Sequence, residues 1–285
     1  MKAAQIFDML CRFGAGKDYT DTCDGIKAGS GDTEVSKAAV AMTATVDVVR
    51  RAAEWGAQML IVHEPTYYNH MDEHSEETVE AAKRALIEQS GLAIYRFHDH
   101  AHRERPDMIC AGEVLKMALG GEADFDFELN DLVRIKLNEP VTALELAKKL
   151  EQGLGIGHLR ICEARDIPST NISARFGAPF GTFDELMRPE TEILLTGESN
   201  EWTMPEYARD AAQLGFNKTV IIMGHVGSER DGMVYIADKL TELCPELQVR
   251  YFDCGEVYTI PTVANNPFAT EMLVVYKIQN YGSAV

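Results

Sequence analysis

Six of the eight histidines of this 285-residue chain, His63, His70, His74, His98, His100 and His102, fall between positions 63 and 102. Imidazole ligates transition metals and moves protons near neutral pH. His63 follows the apolar run MLIV, His98 follows LAIYRF, and His225 follows VIIMG. Each has a second donor type close by. Glu64 stands beside His63, His100 and His102 follow His98, and Glu229 lies four residues after His225. One histidine at a strand end is usually a hydrogen-bonded structural residue, whereas three such positions with carboxylates nearby suit a divalent transition metal. Within HDHAH, read as extended chain, alternation sends His98, His100 and His102 to one face and Asp99 to the other. His70 and His74, in NHMDEHSEE, read as solvated or peripheral, and His158, among glycines, as a surface residue.

To bring those positions together the chain needs strands that end side by side. Short apolar runs alternate with amphipathic stretches, the pattern of a parallel sheet flanked by helices. Strands are predicted at Ala38–Thr43, Met59–Val62, Leu92–Phe97 and Thr219–Met223. Helices are predicted at Val46–Trp55, with Val46, Val49 and Ala53 on its apolar face, at Glu76–Gln89, and at Met233–Leu243 behind a Ser228–Asp231 capping box. In the middle, Leu132–Leu137 reads as a strand, Val141–Leu150 as a helix, Gly153, Gly155 and Gly157 as a loop, and Leu159–Cys162 as a strand, with 121–130 an acidic lead-in. The fold class is α/β and two-lobed, with mostly parallel sheets and flanking helices. One lobe takes 1–126 together with 219–285 and the other takes 127–218, and a metal site lies at the strand carboxyl ends between them, where open α/β sheets bind ligands. The stretch QMLIVHEP (58–65) resembles EILLTGES (192–199), each with a polar pair after an apolar strand, His63-Glu64 and Gly197-Glu198. That likeness leaves an internal duplication open.

Composition narrows the partners. Apolar residues make up 46% and charged residues 25%, as in ordinary globular proteins, so disorder or coiled coil does not describe the whole. The net charge of −18 repels nucleic acid and anionic membrane surfaces, and no basic stripe offsets it. No run approaches the length of a membrane span, and Asp8 and Arg12 break any export signal. Six scattered cysteines with no C-x-x-C pair read as free thiols, which points to the cytosol. A G-x-x-x-x-G-K-[ST] loop and a G-x-S-x-G elbow are both missing, which argues against ATP-driven chemistry and a serine hydrolase. The H-x-H-x-D-H string of metallo-β-lactamases fails at His102-Arg103. The AGSGD turn (28–32) reads most simply as a tight turn.

Asp24-Gly25-Ile26, AGSGD, WGAQMLIVHEP ending at Pro65, LLTGE (194–198) and IIMGHVGSERDG (221–232) together resemble the Nif-three-like dinuclear metal-centre family, described as homologues of type 2 GTP cyclohydrolase I. The last block is the most specific, since family members carry G-H-x-x-[ST]-E there. The resemblance covers most of the chain in order. It implies that His225 and Glu229 are metal ligands, Glu229 bridging, and that the protein assembles as a ring-shaped homohexamer. Two positions depart from the family: Glu64 stands where a second histidine is usual, and His102 where H-x-x-x-D places a carboxylate. If both face one ion, the exchange keeps its ligand count and charge. His98 matches the family's histidine, either as a ligand or as a residue supporting one, while His100 has no counterpart.

The ligand set read this way is His63, Glu64, His98, His102, His225 and Glu229, holding two divalent transition ions. Zn, Fe, Mn or Ni suit a mixed imidazole and carboxylate shell better than Mg or Ca. The activity implied is metal-assisted hydrolysis of a phosphoester or a purine-type nucleotide ring, with a small-molecule substrate. A non-catalytic metal-binding regulatory or scaffold protein is the other reading, and it shares every ligand.

Overall fold

The computed structural model describes residues 1–13, 21–126, 132–178 and 181–259. Met1–Gly255 forms one compact unit. In chain order the elements are α1 (Ala3–Arg12), β1 (Gly25–Ala28), β2 (Lys37–Ala41), α2 (Val46–Glu54), β3 (Met59–Val62), α3 (Thr78–Ser90), β4 (Ala93–Arg96), α4 (Asp99–Arg103), α5 (Met108–Met117) and β5 (Gly121–Phe125). They continue with β6 (Leu132–Val141), α6 (Ala143–Leu154), β7 (Arg160–Cys162), β8 (Ser169–Arg175), α7 (Thr182–Met187), β9 (Ile193–Thr196), α8 (Met204–Gln213), β10 (Thr219–Ile222), α9 (His225–Leu243) and β11 (Gln248–Tyr251).

The strands form two sheets, ordered β1-β4-β3-β2-β11 and β5-β6-β8-β9-β10-β7. In the first, only β1 runs antiparallel to its neighbour. The second is mixed, with β8, β9 and β10 parallel and the β5-β6, β6-β8 and β10-β7 pairs antiparallel. The fold is therefore mixed α/β with two sheets and flanking helices, and mostly parallel pairing holds for the first sheet only.

Sheet membership divides the chain differently from the expected boundaries. Gly121–Phe125 and Thr219–Ile222, expected with the first lobe, pair within the second sheet. Gly121–Phe125 is an edge strand, not a lead-in; 127–130 lie outside the described residues. The C-terminal segment divides because α9 leaves β10 of the second sheet, packs Met233, Ile236 and Leu240 against the first, and delivers β11 beside β2. Helix α5 likewise reaches both cores, with Ile109 in one and Cys110 and Met117 in the other. The two helices cross at glycines: a Cβ on Gly112 or Gly232 would run into the facing helix backbone.

Period-two burial sets the layers. Val40, Met59, Ile61 and Tyr95 face α1 and α9, whereas Ala39, Leu60, Val62 and Ile94 face α2 and α3. Helix α2 starts because the Thr45 hydroxyl accepts the Val48 N–H at 3.1 Å, and it buries Val48, Val49 and Ala52. Helix α6 opens on a capping box between Thr142 and Glu145. The box expected at Ser228 is not one. Helix α9 starts at His225, and the Ser228 hydroxyl, buried inside it, donates to the His225 carbonyl and accepts the Gly177 N–H at 3.0 Å.

The possible duplication has a topological counterpart. β1, β2–α2–β3–α3–β4 and β7, β8–α7–β9–α8–β10 give the same strand order, with the first strand antiparallel to the last. In register, Ala41, Val62 and Arg96 correspond to Arg175, Thr196 and Ile222. Two residues further on, Glu64 and Glu198 hold equivalent places.

Candidate metal centre

The carboxyl ends of β3, β4, β8, β9 and β10 meet around a cavity of about 390 Å³ lined by Glu64, His98, His102, His225 and Glu229, with His70, Arg96, Arg103 and Phe176 also on its wall. Every candidate imidazole is held from behind. The buried His63 Nδ1 donates to the Phe97 carbonyl at 3.1 Å, His98 Nδ1 to Asp99 at 2.9 Å, and His102 Nδ1 to Asp107 at 2.8 Å. A carbonyl or carboxylate only accepts, so Nδ1 carries the proton and Nε2 presents a lone pair.

Those lone pairs converge. His63 Nε2 and His102 Nε2 are 3.2 Å apart, and donor atoms of His63, His98 and His102 all lie within 4.8 Å of one another. Two unprotonated nitrogens at that distance repel unless a cation or a proton lies between them. Burial, then the neighbouring His98 and His102, push the His63 pKa well below its ordinary value, so a shared proton is disfavoured.

A second group adjoins the first. Donor atoms of His63, Glu64 and Glu229 also lie within 4.8 Å of one another. His225 Nε2 is 2.9 Å from Glu64 and 3.1 Å from Glu229, and its Nδ1 is 2.7 Å from Glu198. Burial lowers the pKa of His225, but Glu229 and Glu64 outweigh it and raise it well above the usual imidazole value. Burial works against the Glu64 charge too, but His225 holds the carboxyl below its ordinary range. Glu229 Oε2 is buried between the groups, 3.1 Å from His225 Nε2 and 3.7 Å from His63 Nε2. A buried carboxylate is costly unless a cation satisfies it, whether the His225 imidazolium or a metal ion that replaces its proton. The donor set therefore fits metal ions. Gly177 lets the wall close here, because a Cβ at that position would strike the Glu229 carboxylate.

The histidine string is not extended. Residues 99–103 form α4, in which residues four apart share a face, so His98 and His102 turn to the cavity and His100 does not. His100 is buried, with Nδ1 2.6 Å from Asp24. Asp24 also accepts the backbone N–H groups of His98, Asp99 and His100 at 2.5, 3.0 and 2.8 Å, capping α4 from a distant part of the chain. Asp99, assigned to the opposite face by alternation, is the carboxylate behind His98. It also accepts the Cys23 N–H at 3.1 Å and the Cys23 thiol at 3.5 Å. Burial pushes that thiol up to about 12.

The two exchanged positions do not share a group. Glu64 joins His225 and Glu229, whereas His102 joins His63 and His98. They separate because the turn after β3 brings Glu64 to His225 at the start of α9, whereas α4 turns His102 toward His63. His70, expected to be solvated or peripheral, is exposed and lies on the cavity wall, its ring edge-on to His98 at 5.9 Å. His74 stays outside, exposed beside Glu80. Asp24, Asp107 and Glu198 escaped the reading of the sequence. Asp24 and Glu198 lie in motifs singled out there, and each had a signal in being acidic beside a glycine.

The model of the Duf34/NIF3 (NGG1p interacting factor 3) family matches residues 1–256. The chain belongs to the NIF3 family. Relatives named GTP cyclohydrolase 1 type 2 homolog include proteins of Clostridium perfringens, 20% identical over 76% of this chain and 82% of the relative, and of Halobacterium salinarum, 25% identical over 76% and 84%. The solved structure of protein ybgI, described as of unknown function, superposes with a TM-score of 0.74 over 90% of this chain and 99% of that one at 20% identity. That likeness shows a shared fold. Among the described residues no helix is long and apolar enough to cross a membrane.

Proposed function

We propose that this NIF3-family protein is a dinuclear metal-dependent hydrolase acting on a phosphoester or a purine-type nucleotide ring. The observation that carries the reading is the pair of facing Nε2 atoms of His63 and His102, with the buried Glu229 carboxylate 3.7 Å from His63. His63, His98 and His102 hold one ion, Glu64 and His225 the other, and Glu229 bridges them. Such ions polarise a substrate oxygen and make water nucleophilic near neutral pH. The chain supplies the rest: Asp99, Asp107 and Glu198 keep the imidazole Nε2 atoms turned inward, and Arg103 and Phe176 offer the cavity a cation and a ring for an anionic, planar substrate. The reading includes a homohexamer, as the family resemblance implies, and a cytosolic site of action, in keeping with six cysteines that form no disulfide.

Metal analysis by ICP-MS of protein purified without a tag or added metal is the test. Two transition ions per chain are expected, and one or none would sink the dinuclear reading. A screen of the loaded protein against nucleotides for phosphate release and ring opening then separates a hydrolase from a metal-binding protein without turnover.

A further inference from the structure

Resting on that dinuclear reading, we infer that the two metal positions are chemically unequal: one selects a borderline ion such as Zn²⁺ through three imidazoles beside the bridging Glu229, and the other accepts a harder ion such as Mn²⁺ because Glu64 gives it a second carboxylate. The groups divide the donors by charge. His63, His98 and His102 bring three neutral nitrogens to one position. Glu64 and Glu229 bring two carboxylates to the other, where His225 Nε2 faces both and the His63 ring also borders them. Had position 64 been histidine and 102 aspartate, each position would have had one fewer donor of its own kind. The exchange therefore moves one negative charge from the His63–His98 side to the His225–Glu229 side, and it does not cancel within one ion.

The consequence for selectivity is direct. Affinity rises from Mn²⁺ to Zn²⁺ at any nitrogen or oxygen site, but nitrogen donors widen the gap and carboxylates suit Mn²⁺. Asp99 and Asp107, behind His98 and His102, make those imidazoles better donors without touching the ion themselves. Glu198 does the same for His225. Those hydrogen bonds act on both sides, so the difference lies in the atoms that face each ion.

Exchange measures this cleanly. Replacing one divalent ion by another leaves the charge of the centre constant, so repulsion between the two ions drops out and the ligand type remains. Protein saturated with Mn²⁺ and held in excess Mn²⁺ is titrated with Zn²⁺, freed of unbound metal, and analysed for both elements. Manganese should leave in two steps, one ion per chain each, separated by at least about tenfold in free Zn²⁺. His102→Asp should move the first step toward the second, and Glu64→His should move the second toward the first. A single step with two ions bound throughout overturns the inference while leaving the dinuclear centre intact. A first step that ignores His102→Asp but answers to Glu64→His overturns it as well, since the order of the positions is then reversed. A total below two ions at saturation defeats the dinuclear reading and the inference with it. The wild-type curve decides even if a variant fails to fold.

Discussion

The imidazoles of His63, His98, His102 and His225 share one device, a proton on Nδ1 committed to an oxygen behind the ring. For His225 that oxygen belongs to Glu198, half-exposed at the β9 end and 2.7 Å away. Without it the ring can turn about its own bond, and Nε2 no longer stays aimed at Glu64 and Glu229. Glu198→Ala should weaken binding of the ion on the carboxylate side by about 10–100-fold, while Glu198→Gln, which keeps an acceptor, should cost less. Competition against a fluorescent chelator reads both. Equal loss in the two variants would mean that Glu198 acts by charge and not by orientation. At this scale the sequence was informative about residue types and poor about supports. His63, Glu64, His98, His102, His225 and Glu229 all line or enter the site, because strand ends and motif spacing mark them. Asp24, Asp107 and Glu198 earn their meaning from contacts 76, 5 and 27 residues away along the chain, which no local pattern displays.

Helix α4 shows how an element acquires a shape that its own sequence does not specify. Five residues are too few to hold a helix in water unaided, and alternation in HDHAH favours an extended reading. Asp24 decides the matter by satisfying three consecutive N–H groups at the start of the turn. Asp107 then fixes the other end twice over, capping α5 through the Ile109 and Cys110 N–H groups and holding His102. Asp24→Ala should therefore do two things. It should lower stability by about 1–2 kcal/mol, the scale of a lost cap, and it should loosen the ion bound by His63, His98 and His102 more than the ion bound by Glu64 and His225. Thermal melts and the Zn²⁺ step of the exchange titration test the two effects separately. A melt shift with no change in that step would reduce Asp24 to a structural cap. The regular elements were legible for the opposite reason. MLIV and TVII are buried on both faces and need no partner to declare themselves, so β3 and β10 lie where apolar runs predict them. The sequence pattern starts α9 too late because His225–Gly232 is polar and glycine-rich, and in the fold Gly177 and Glu113 hold that stretch through Ser228 and the Asp231 N–H.

Across the whole molecule, α5 and α9 tie the two sheets together, and between them lies a carboxyl group with no solvent. Glu113 is completely buried; its Oε1 accepts the Asp231 N–H at 2.7 Å and its Oε2 has no hydrogen bond. Burial, reinforced by the Asp231 charge, raises its pKa well above the ordinary carboxyl value, although the Asp231 and Gly232 N–H groups pull the other way. The folded chain thus keeps a proton that the unfolded chain releases near pH 4.5. The sign follows from linkage: this stability is fully present below the unfolded carboxyl pKa and is lost as pH rises through the raised folded value. Glu113→Gln keeps an acceptor for the Asp231 N–H and removes the ionisation. Its melting temperature should match wild type near about pH 4 and exceed it progressively toward about pH 8, by an amount on the order of 1 kcal/mol, or about 2–4 °C for a chain of this size. The acidic surface, with a net charge of −18, also makes stability pH-dependent, but that contribution is common to both proteins and cancels in the difference. A difference between variant and wild type that stays flat with pH would show that Glu113 ionises in the folded protein as readily as in the unfolded chain. The α5–α9 crossing would then have to accommodate a charge that its packing gives no means to solvate.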